Sequence, residues 1–222
     1  SEETSLLNKM ITTSVLPIWL FPINYPLKEI SSYEEKIAQS LPPKRSHEYK
    51  FSRGYVRFAL SQYFEIDPLE IQLEASPGKA PKLAKGLGYV SFSHSKDALI
   101  IGWSKSQLGI DIERSDRVIS SRKIAERFFN LKDLKYIKTL MEQQFIAEVL
   151  NQWVIKESLI KWQRGSIAKD LNKWNLNRKE NIATHNTLNL SVNFCQISYA
   201  SWVISIATNE NLDERNIIIC LS

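Results

Sequence analysis

Tyr89-Val-Ser-Phe-Ser-His-Ser-Lys-Asp-Ala-Leu-Ile-Ile-Gly-Trp103 and Phe194-Cys-Gln-Ile-Ser-Tyr-Ala-Ser-Trp-Val-Ile-Ser-Ile-Ala207 follow one pattern. Each consists of two short strand-like runs joined by a polar turn, the signature of a β-hairpin. A helical stretch precedes each hairpin, Tyr49–Phe64 in the first case and Gln143–Trp162 in the second. The repeat predicts an α+β fold. Its form is a pseudo-dimer of two similar halves, residues 1–107 and 108–222, each a small, mainly antiparallel sheet packed with helices. A single domain with coincidentally similar hairpins is the alternative.

Composition agrees with a globular chain. The 222 residues are 43% hydrophobic and 24% charged, which excludes a largely disordered, collagen-like or disulfide-stapled protein. All eight prolines lie at or before Pro81, so long uninterrupted helices and strands are expected after it. Five of the seven glycines fall within Gly78–Gly109, marking a stretch where the backbone bends or makes a close approach. Cys195 and Cys220 sit in apolar β-branched runs and read as small buried hydrophobes of a reducing compartment. No run of 18 apolar residues exists to span a membrane. The apolar run Met10–Pro22 is preceded by Glu2 and Glu3 and interrupted by Pro17, unlike a signal peptide. A cytoplasmic protein is expected. The net charge of +5 suits an acidic partner or a phosphorylated ligand and falls short of a nucleic-acid arm.

Three carboxylates stand where charge is costly. In the helix, Phe145, Ile146, Val149, Leu150, Trp153 and Ile160 form an apolar stripe, and Glu157 falls in its middle with Lys156 and Lys161 alongside. A carboxylate facing a core must be paired, protonated or bound to metal. Leu108-Gly-Ile-Asp-Ile-Glu113 alternates as a strand, which puts Asp111 and Glu113 on one face and Ile110 and Ile112 on the other. Two like charges on one face call for a compensating cation, and three hard oxygen donors suit Mg²⁺. A buried Glu157–lysine pair remains the structural alternative.

Two further elements carry weight only in combination. Phe92-Ser-His-Ser95 sits in the first hairpin, where Ser93 and His94 have donors for a phosphate, although no nucleophile-elbow glycines surround Ser93. Ser76-Pro-Gly-Lys-Ala-Pro-Lys82 is a Gly/Pro loop with two lysines and lacks the ending of a Walker A loop.

In this order and spacing the elements resemble the 4′-phosphopantetheinyl transferases of the two-halved, monomeric type, the group that activates surfactin and enterobactin synthetases. The most specific parts are Gly109-Ile-Asp-Ile-Glu113 and Trp153-Val-Ile-Lys-Glu-Ser-Leu-Ile-Lys161, about 40 residues apart. Ser91-Phe-Ser-His-Ser95 resembles the family's Asn-hydrophobic-Ser-His-Ser turn, with Ser91 in place of Asn. Gly78-Lys79 is similar to its Gly-Lys-Pro, with Ala80 inserted before Pro81. Lys44-Arg-Ser-His-Glu-Tyr-Lys-Phe-Ser-Arg53 is similar to the basic helix start of enterobactin-type members.

The resemblance implies transfer of phosphopantetheine from coenzyme A to a serine of an acyl, peptidyl or aryl carrier protein, with release of adenosine 3′,5′-bisphosphate. It implies a monomer with its active site at the interface of the halves. Asp111, Glu113 and Glu157 would hold Mg²⁺. Lys161, with Lys156 beside it, would neutralise the phosphoryl group. Ser93 and His94 would contact the phosphates, while Arg45, Arg53 and Lys79 would grip the adenosine 3′-phosphate, with Arg57 a substitute for Arg53. Glu157 would be the base, directly or through a metal-bound water. An acidic carrier protein is the expected partner, met by Arg114-Ser-Asp-Arg-Val-Ile-Ser-Ser-Arg-Lys123 unless that stretch is a solvated linker. No nucleic acid and no membrane is expected. Two rivals remain: a Mg²⁺-dependent nuclease or phosphohydrolase, disfavoured because Arg114 breaks its acid-x-Lys pattern, and a non-enzymatic nucleic-acid binder, disfavoured because the tryptophans occupy apolar-periodic positions.

Overall fold

The computed structural model describes residues 15–117 and 119–220; Glu2, Glu3, Met10 and Val118 lie outside it. The chain divides into two compact units. Among the described residues, one comprises those up to Ser93, Asp97–Gln107 and those from Arg215, and the other His94–Lys96 and those from Leu108 to Glu214.

The first unit opens with β1 (Leu16–Pro22), followed by α1 (Ser32–Gln39) and α2 (Pro43–Phe64). Ser31 and Glu34 start α1 with a capping box: the Ser31 hydroxyl accepts from the Glu34 N–H at 3.1 Å, and Glu34 Oε1 accepts from the Ser31 N–H at 2.8 Å. Pro43 begins α2, where its missing N–H and fixed φ cost nothing. The short strands β2 (Leu73–Glu74) and β3 (Lys82–Leu83) pair with each other. Next come β4 (Tyr89–His94) and β5 (Ala98–Ser104), neighbours in the first sheet joined by residues 95–97. β1 runs antiparallel to β5, with Trp19 opposite Ile101. Phe21, Tyr55, Val56, Leu60, Leu99, Ile101 and Trp103 form the core of this unit.

The second unit repeats the plan. β6 (Leu108–Arg114) is followed by α3 (Ser121–Phe128), α4 (Leu131–Ile137) and the long α5 (Glu142–Gln163). The short α6 (Ile167–Asp170) leads to β7 (Trp174–Asn177), β8 (Ile182–His185), β9 (Ser191–Tyr199) and β10 (Trp202–Thr208). The five-stranded sheet has the order β6-β10-β9-β8-β7 and its four strand pairs are antiparallel. In both units the first strand pairs with the second strand of the hairpin, and a 22-residue helix lies between them in the chain.

The last strand, β11 (Ile217–Cys220), pairs parallel with β1, Leu16 opposite Ile217, and belongs to the first unit. The expected division at 107/108 places it in the second half; hydrogen bonding to β1 outweighs its place in the chain.

Helix α5 also corrects the expected single stripe. Ile146 is exposed, whereas Val154, Ile155, Leu159 and Trp162 are buried together with Leu150 and Ile160. The helix is covered on several sides, by β6, β9 and β10 and by the smaller helices, so its buried face has no single angular period.

Candidate active site

β6 brings Asp111 and Glu113 to the face that α5 covers. Lys161 Nζ donates to Asp111 Oδ1 at 3.2 Å, a direct tie between the two motifs. Asp111 is buried and Lys161 about one-third exposed, so the pair sits at the edge of the core. Glu113 is half-buried and paired with Arg117, four residues on. The last turn of α5, which carries Lys161, is closed by Arg164 in the left-handed region and by the Gly165 N–H donating to the Ile160 carbonyl at 3.0 Å.

Glu157 is the electrostatic centre of this group. Burial pushes its carboxyl up to about 7, Asp111 and Glu113 push in the same direction, and Lys161 and Arg117 oppose them. Burial likewise raises Glu113, offset by Arg117. Three acids therefore share the fields of two cations. Among the described residues, no three His, Cys, Asp or Glu side chains stand close enough to hold a metal as arranged. Asp111 is drawn to Lys161 and Glu113 to Arg117. In donor chemistry the three carboxylates fit a hard divalent cation, which would take over the role that the two side-chain cations play here.

Lys156 is elsewhere. It has no solvent exposure, pairs with Asp133 of α4, and lies 4.2 Å from the Phe129 ring centre. This corrects the expected place beside Lys161: a step of five residues turns the side chain to the opposite flank of the helix, into the core with Ile137 and Val149. The lysine–carboxylate pair weighed for Glu157 belongs instead to its neighbour.

The residues expected around the adenosine phosphate divide into two groups. Lys79 and Arg45 are exposed, Arg45 in the first turn of α2. Lys79 ends a tight turn in which its N–H donates to the Ser76 carbonyl at 3.1 Å; Pro77 precedes Gly78, whose φ of +74° is one that side chains avoid. Arg53, by contrast, is buried. Its Nε and Nη2 donate to the Ala75 carbonyl at 2.9 and 2.7 Å, and its plane lies over Tyr49. It holds the start of the Lys79 loop, which corrects its expected exposure to ligand. Arg57 is committed as well, to Glu34 Oε1 at 2.7 Å and to the Pro68 and Ile71 carbonyls. Ser93 is buried near the end of β4, and His94 is exposed at that end.

Three contributors escaped the sequence reading. Arg117 faces Glu113, Asp133 holds Lys156, and Ser205 lies opposite Asp111 in the β6–β10 register. The only signal for Ser205 was a small hydroxyl inside an apolar strand.

Part of the chain carrying this geometry resembles known proteins. Residues 107–212, which contain β6 and α5, match the family model described as the 4′-phosphopantetheinyl transferase superfamily. The chain is 21% identical over 175 residues to the 4′-phosphopantetheinyl transferase HetI of Nostoc sp. (strain PCC 7120), covering 73% of this chain and 74% of that protein. It is 32% identical over 73 residues to the 4′-phosphopantetheinyl transferase gsp of Aneurinibacillus migulanus, covering 33% of this chain and 30% of that protein. The family match over residues 107–212 and the likeness to these two transferases support a 4′-phosphopantetheinyl transferase. No helix among the described residues is long and apolar enough to cross a membrane.

Proposed function

We propose that the protein transfers 4′-phosphopantetheine from coenzyme A to a serine hydroxyl of an acyl, peptidyl or aryl carrier protein, with Mg²⁺ and as a monomer, releasing adenosine 3′,5′-bisphosphate. The observation that carries this reading is the 3.2 Å contact between Lys161 and Asp111, which brings the α5 motif bearing Glu157 against the β6 motif bearing Asp111 and Glu113.

The serine oxygen attacks the β-phosphorus of coenzyme A. The bond from that phosphorus to the bridging oxygen breaks, and the bisphosphate departs. The serine proton goes to Glu157, a carboxylate held on the rigid α5 one turn before Lys161. Lys161, oriented by Asp111, offsets the charge that builds on the phosphoryl oxygens, the main catalytic contribution in phosphoryl transfer. Asp111, Glu113 and Glu157 would hold Mg²⁺, which when bound supplies further charge neutralisation at the pyrophosphate. Lys79 and Arg45 are exposed cations for the adenosine 3′-phosphate, and Ser93 and His94 are donors for the phosphates. Arg53 serves by holding the Lys79 loop. The net charge of +5 supports an acidic carrier, whose approach it would steer. A cytoplasmic location follows from the same substrates.

Incubation with coenzyme A, Mg²⁺ and a panel of apo carrier proteins, followed by intact-mass measurement, tests this. A single phosphopantetheine added to at least one carrier, dependent on both coenzyme A and the cation, is expected. A panel left unmodified by this protein and modified by another transferase of the class would refute the assignment.

A further inference from the structure

We infer that the buried Ser158–Ser205 hydroxyl pair, backed by Gly109, is a positioning element that sets how closely the Glu157–Lys161 turn of α5 approaches Asp111. This rests on the function proposed above.

Ser205 is directly opposite Asp111 in the antiparallel β6–β10 pair, and opposed residues project from the same face. Both face α5. Ser205 Oγ lies 2.9 Å from Ser158 Oγ, and Asp111 Oδ1 lies 3.2 Å from Lys161 Nζ. Neither serine has any solvent exposure. Gly109, two residues before Asp111, shares that face; a Cβ there would stand 1.9 Å from the Ser158 carbonyl oxygen and 2.4 Å from the Trp162 nitrogen. Helix and strand backbones therefore meet with no side chain between them at this level. Ala207, opposite Gly109, is small and fully buried too. Towards the other end of the strand, Val203, opposite Glu113, packs against Leu150 and Val154, so larger side chains fill that end.

The hydrogen bonds have a direction. Ser158 Oγ is 2.6 Å from the Ile155 carbonyl of its own helix and gives its only hydrogen there. Ser205 is therefore the donor to Ser158. Removing Ser158's hydroxyl strands a buried donor, while removing Ser205's strands none.

The test compares Ser158→Ala, Ser205→Ala, the double variant and Ser205→Val by melting temperature, Mn²⁺ affinity from the paramagnetic resonance of free Mn²⁺, and steady-state carrier modification. Ser158→Ala is expected to melt lowest of the two single alanine variants, with the double variant no lower. For a positioning role, Ser205→Ala and the double variant should weaken Mn²⁺ binding and lower kcat by about fivefold or more, as small misplacements of reacting groups do, with the KM for coenzyme A little changed. Ser205→Val, which wedges the helix away, should do more. Variants that melt differently yet match the wild type in Mn²⁺ affinity and kcat would reduce the pair to a structural contact and overturn the inference. A wild type that binds no Mn²⁺ and modifies no carrier would overturn the proposed function instead.

Discussion

Lys161 and Asp111, fifty residues apart in sequence, meet at 3.2 Å, and this contact joins the two motifs on which the functional reading depends. Asp111 is buried and its partner partly exposed, so the ion pair opens towards solvent at the lysine. An anion approaching from that side meets an oriented ammonium group.

Asp111→Ala should abolish carrier modification with little loss of stability. It leaves Lys161 partly solvated and removes one of the charges that repel Glu157, whose carboxyl should move back towards its ordinary range. Circular dichroism and intact-mass assays on one preparation check this. A variant that fails to fold would make Asp111 a structural partner of Lys161.

The raised Glu157 carboxyl makes stability depend on pH in the absence of divalent cation. From its ordinary value of 4.5, Glu157 rises to about 7 in the folded state, so between these values the folded chain binds the proton more tightly than the unfolded one. The stabilisation from this group is present below pH 4.5 and is lost as pH rises through about 7. Differential scanning calorimetry with a chelator should show this decline between pH 5 and 8, and Glu157→Gln should flatten it.

Lys156→Ala should cost roughly 3–5 kcal/mol, because it strands the buried Asp133 carboxylate. The folded fraction should still modify carrier protein at nearly the wild-type rate. Loss of turnover at full stability would return Lys156 to the catalytic group.

Arg53→Ala should raise the KM for coenzyme A more than it lowers kcat, since it frees the Ala75 carbonyl and loosens the turn that presents Lys79. Arg45→Ala should also raise that KM, with no change in melting temperature, because Arg45 is exposed.

The sequence exposed the parts of this site governed by short-range periodicity. Asp111 and Glu113 share a strand face because side chains alternate, and the repeated hairpins were legible because polar turns separate their apolar runs. The orientation of Lys156 was not legible. A helix covered on several sides carries no single apolar stripe, so neighbouring lysines cannot be assigned to faces from spacing alone. The hold of Arg53 on Ala75 was not legible for a related reason: a guanidinium that binds phosphate and one that binds a carbonyl look alike in sequence. The return of β11 to β1 depends on a long-range pairing that no local pattern encodes.

The most direct test is Glu157→Gln, measured for melting temperature without divalent cation and for carrier-protein modification on the same preparation. The substitution keeps shape and hydrogen bonding and removes charge and basicity. Turnover should fall by at least ~10²-fold, the scale of a lost general base, with a melting temperature that holds or rises because a buried charge has been removed. A variant that melts much earlier yet modifies carrier protein at the wild-type rate would contradict a general-base role for Glu157.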